Sequence, residues 1–79
     1  MADIVLTPAQ SRMLSKAVAT LNEVLHQLQL ENPDCNINWY LESGALHLMG
    51  GDSHDDDGRA RQDLVIETFT LDKADGGGW

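Results

Sequence analysis

Apolar residues in the first third of the chain recur at helical spacing. Leu14, Val18, Leu21, Leu25 and Leu28 fall at alternating steps of four and three, and Met13, Ala17 and Val24 widen the stripe. The stripe covers roughly 140° of a helix, with Arg12, Ser15, Lys16, Asn22, Glu23 and Gln27 on the other side. Both ends are marked. Thr7 is a good N-cap, Pro8 falls at the first helical position, and Gln10 completes a capping box with Thr7. Asn32 precedes Pro33 and is biased away from helical angles, so a helix is predicted over Thr7 to Leu30.

After a turn-rich loop from Glu31 to Asn36 the period changes to two. Ile37, Trp39 and Leu41 alternate with Asn38, Tyr40 and Glu42, which predicts a half-buried strand. Ser43-Gly44 reads as a two-residue hairpin turn, and Ala45 to Met49 as the returning strand. That turn pairs Glu42 with Ala45, Leu41 with Leu46, Tyr40 with His47 and Trp39 with Leu48. One face then carries Ile37, Trp39, Leu41, Leu46 and Leu48, and the other Asn38, Tyr40, His47 and Met49. A third strand is predicted over Asp63 to Leu71. Its Leu64 and Ile66 point one way and its Phe69 and Leu71 the other, so a bulge is expected near Glu67-Thr68.

The expected architecture is α+β: one long N-terminal amphipathic helix packed on a three-stranded antiparallel β-meander (αβββ). The helix stripe should cross the whole Trp39 face and leave the Tyr40 face uncovered. Residues 1–71 make the single domain. Residues 72–79, ending Gly76-Gly77-Gly78-Trp79, are expected to be a flexible tail, with Trp79 as a candidate anchor for a partner. Ile4, Val5 and Leu6 read either as a lead-in to the helix or as a short edge strand.

A chain of 79 residues, 42% of them apolar, lies near the lower limit for a self-sufficient core. A homodimer that buries more surface is therefore expected. The longest apolar runs, such as Ile4-Val5-Leu6 and Leu64-Val65-Ile66, are three residues long, no signal-peptide pattern is present, and Cys35 is alone. These features point to the cytoplasm and away from a membrane. The net charge of −8 repels phosphate backbones and favours encounter with basic proteins.

The loop from Gly50 to Gln62 holds the best candidate chemistry, with Asp52, His54, Asp55, Asp56 and Asp57 close together. Clustered carboxylates suit a hard cation. With Gly58 at the sixth position of a calcium-binding EF-hand loop, however, the twelfth is Leu64, where a bidentate Glu is required. His26, His47 and His54 are scattered and Cys35 has no second Cys, so no metal site is expected. Gly50-Gly51 leads into Asp residues that repel phosphate, so no cofactor is expected either. Cys35 has no His close in sequence, and an enzyme is not expected. Arg59 and Arg61 form a small basic spot or neutralise the neighbouring Asp residues.

The uncovered sheet face then becomes the candidate binding surface. Tyr40, Glu42, His47 and Met49, with Asp52, Asp55, Asp56 and Asp57, are the expected partner-binding residues. In size and charge the chain resembles small acidic proteins encoded by bacteriophages. That resemblance implies an inhibitor occupying a basic, nucleic-acid-binding surface of a host protein, with no direct contact to nucleic acid. The alternative is a homo-oligomeric protein that binds a small ligand at a subunit junction.

Overall fold

A computed structural model describes residues 3–76. Helix α1 (Pro8–Glu31) is followed by strands β1 (Asn38–Glu42), β2 (Ala45–Met49) and β3 (Val65–Thr70). The strands form one antiparallel sheet in the order β1-β2-β3, which is the αβββ arrangement.

The signals at the helix ends operate as hydrogen bonds. Thr7 Oγ1 accepts the Gln10 N–H at 3.1 Å, and Gln10 Oε1 accepts the Thr7 N–H at 3.0 Å. At the far end the Asn32 backbone and side-chain amides both donate to the Leu28 carbonyl at 2.9 Å. The β1–β2 register runs from Glu42↔Ala45 to Asn38↔Met49, as the turn dictates. Gly44 has a φ of 75°, which a side chain would resist.

The bulge sits slightly earlier than expected. Pairing steps from Leu48↔Glu67 to Met49↔Val65, which leaves Ile66 as the extra residue. β3 is also shorter than the predicted strand, because Gln62–Leu64 forms a 3-10 turn. Among the described residues, Ile4 to Leu6 is an exposed lead-in and not a strand.

The expectation of an uncovered outer sheet face is corrected. The segment from Gly50 to Leu64 folds back over it. The Gly50 N–H donates to the Leu64 carbonyl at 2.8 Å, and the Arg61 N–H to the Ser53 carbonyl at 2.7 Å. Gly51 lets Leu64 pack closely against the start of the segment: a Cβ there would come 2.7 Å from Leu64 Cδ1, which would have to move aside. Met49 is consequently fully buried.

The helix, in contrast, covers less than expected. No α1 residue is buried, and Leu25, Leu28 and Gln29, all near its C-terminal end, are half-buried. The stripe does face the Trp39 side of the sheet. Between Ala17, Leu21 and Val24 on α1 and Trp39, Leu46 and Phe69 on the sheet lies an open apolar groove of 500 Å³. The buried apolar core of the described residues is Ile37, Leu48 and Met49.

Beyond β3 the chain returns to the hairpin turn. The Leu71 N–H donates to Gly44 O at 3.1 Å, and the Gly44 N–H donates to Ala74 O at 3.0 Å. Residues 77–79, and with them the expected role of Trp79, lie outside the described residues.

Candidate partner-binding surface

The sheet residues singled out from the sequence form a layer beneath the acidic loop. Tyr40 is half-buried between two histidines. Its ring stacks on His47 with centroids 6.2 Å apart and meets His54 edge-on at 5.6 Å. His47 and Met49, expected to be exposed, are buried. Strand alternation does place them on the outer face, but the loop lands on that face and seals it.

Glu42 pairs with Ala45, so it is a diagonal neighbour of His47 on the same face. His47 Nε2 lies 2.5 Å from Glu42 Oε1, and its Nδ1 lies 2.7 Å from Thr68 Oγ1. A carboxylate only accepts, so the ring proton facing Glu42 is on Nε2, and the Thr68 hydroxyl turns to suit Nδ1. One side chain from each strand thus forms a line across the sheet. The connectivity resembles a nucleophile, base and carboxylate. Here it joins three neighbouring strands beneath a folded loop, and we read it as a structural staple. Sequence reasoning missed Thr68, because its register against His47 depends on where the bulge falls.

The four acidic loop residues divide into two kinds. Asp52 Oδ1 accepts from Asn36 Nδ2 at 2.6 Å, and Asp55 Oδ1 accepts the N–H groups of Asp57 and Arg59 at 3.0 and 2.9 Å. These two carboxylates shape the loop. Gly58, at φ 81°, closes the turn by donating its N–H to Asp55 O at 2.9 Å. Asp56 and Asp57 are exposed at the tip. Beside them is a polar hollow of 240 Å³ lined by Asp52, His54, Asp55, Asp56, Arg61 and Leu64.

Arg61 pairs with a neighbouring Asp and is also attracted, more weakly, by Asp55 of the loop. It forms a two-point pair with Asp63, Nε to Oδ1 and Nη2 to Oδ2, each at 3.1 Å. This hydrogen bonding holds the Asp63 carboxyl below the ordinary aspartate value and raises the Arg61 guanidinium. Among the described residues no group of three or more His, Cys, Asp or Glu could hold a metal ion. Cys35 is exposed, and its carbonyl accepts from Gln29 Nε2 at 2.6 Å.

The arrangement is therefore a structured acidic lobe on one face of the sheet and an open apolar groove on the other. No family model, no curated protein and no solved structure matches the chain.

Proposed function

We propose that this protein is a small non-enzymatic binding module that docks its acidic lobe on a basic protein surface. The observation that carries this reading is the fold-back of Gly50–Leu64. Asp55 and Asp52 spend their hydrogen bonds on shaping the lobe, and Asp56 and Asp57 are presented at its tip. Ordering these carboxylates before binding lowers the entropy lost on association. The chain's net charge of −8 adds attraction for a basic partner at long range. Tyr40 supports the lobe from beneath through His54, and Glu42 holds His47, which with Met49 is buried on the same face.

The specific form we favour is an inhibitor of phage type that occupies a basic, nucleic-acid-binding surface of a host protein in the cytoplasm. Among the described residues no helix is long and apolar enough to cross a membrane. Affinity capture from a host lysate, followed by competition with nucleic acid, tests this. The captured protein is expected to bind nucleic acid and to release it as the acidic protein is added. A partner that holds both at once contradicts the inhibitor form.

One observation favours the alternative, a homo-oligomeric small-ligand-binding protein. The groove of 500 Å³ falls within the size range of small-ligand sites. A small molecule retained in native mass spectra of the purified protein would support it.

A further inference from the structure

The N-terminal half of α1 stands clear of its own sheet. Met13 is 71% exposed, Leu14 54% and Val18 53%. The chain is also too open for a lone molecule of its mass. It exposes 6195 Å², whereas a compact monomer of 8.7 kDa exposes about 4,700 Å². Its radius of gyration is 14.8 Å, against about 11.6 Å for a compact domain of this length. The surplus of about 1,500 Å² lies within the roughly 1,000–2,500 Å² that each subunit of an obligate homodimer buries.

Position along the helix indicates what covers this surface. The exposed half of α1 carries Met13, Leu14 and Val18, whereas the groove lies beside Ala17, Leu21 and Val24, towards the other end. A two-fold axis perpendicular to the helix sets two copies antiparallel, so that the exposed half of each lies over the groove of the other. A parallel pair would set the two exposed halves together and leave both grooves open. Arg12, Lys16 and Glu23 lie on the opposite side of α1 from Leu14 and stay in solvent.

We infer that α1 is the interface of a homodimer in which two copies pair antiparallel about an axis near Ala17 and Val18. Each protruding N-terminal half seats Leu14 in the groove of the other copy, level with its Leu21. The second helix covers Val24, Trp39 and Phe69, which line that groove. This interface leaves the acidic lobe free on the opposite sheet face. It therefore stands or falls separately from the partner-binding reading.

Sedimentation equilibrium of the full chain reads the mass directly, and twice 8.7 kDa is expected at micromolar concentration. Leu14→Asp is expected to give a monomer under the same conditions. Oxidative crosslinking in a Cys35→Ser background reads the orientation. Ala17→Cys, beside the axis, is expected to form a disulfide-linked dimer. Leu14→Cys is not, because its two copies are offset by about 10 Å along the helices, beyond disulfide reach. A monomeric mass at every concentration overturns the inference. So does Leu14→Cys crosslinking as readily as Ala17→Cys, the mark of a parallel pair.

Discussion

Gln29 and Ile37 join the helix to the sheet. Gln29 Oε1 accepts the Ile37 N–H at 3.1 Å, just before β1 begins. The amide of the same side chain donates to the carbonyls of Asn32 and Cys35 at 3.0 and 2.6 Å. One glutamine thus organises the turn between the two elements. It lies at the end of α1 where Leu25 and Leu28 are half-buried, and the apolar stripe becomes more exposed with distance from it, from Leu21 to Val18 to Met13.

Removing that side chain leaves a buried N–H without its acceptor. Ile37 is 6% exposed, so water cannot readily replace the bond. Gln29→Ala is expected to destabilise the fold by about 1–3 kcal/mol. Chemical denaturation at fixed protein concentration measures it. A loss below about 0.5 kcal/mol, the range of ordinary surface changes, would show that the turn holds without Gln29.

Met49 reports whether the loop really seals the outer face. It is fully buried although it lies on the face expected to be open. Met49→Ala is expected to cost about 2–5 kcal/mol, as a large-to-small change in a core does. Faster hydrogen exchange at the Gly50 amide should accompany the loss, because the loop would loosen with it. A cost typical of a surface position would mean that the loop stands off the sheet in solution.

Asp63 gives a pH signature. Hydrogen bonding to Arg61 lowers its folded-state pKa below the ordinary 3.8. A lowered acid pKa stabilises the fold above the unfolded value, and that contribution is lost as pH falls through the folded value. Both side chains are solvent-exposed, so the effect on stability is small. NMR titration is the better measurement. The Asp63 midpoint is expected below 3.8, and Arg61→Ala should raise it towards that value. A midpoint at or above 3.8 in the native protein contradicts the pairing.

The parts of the fold that were legible in the sequence are those with local signals. Thr7 and Gln10 sit at the spacing of a capping box, and Ser43-Gly44 fixes a register that alternation independently confirms. The bulge was foreseen from a break in alternation, but that break could not distinguish Ile66 from the two residues after it. The fold-back of Gly50–Leu64 has no period to announce it. Its contacts come from single residues, His54 on Tyr40 and Leu64 over Gly51, separated by polar positions. The exposed N-terminal half of α1 was hidden for a different reason. An apolar stripe says that a face needs cover, but not which molecule supplies it.

The most direct test of an acidic lobe built for a basic partner is the association rate of Asp56→Asn/Asp57→Asn with the captured partner, measured across salt concentrations. These two carboxylates are at the tip, and no hydrogen bond of the loop is assigned to either side chain, so the variant should keep the fold. Exposed charges act mainly on association, and apolar contacts mainly on dissociation. The variant is expected to associate several-fold more slowly, with a shallower salt dependence and an unchanged dissociation rate. Association at the native rate with the native salt dependence would contradict the proposal and leave the lobe as a folded but solvating cover for the sheet.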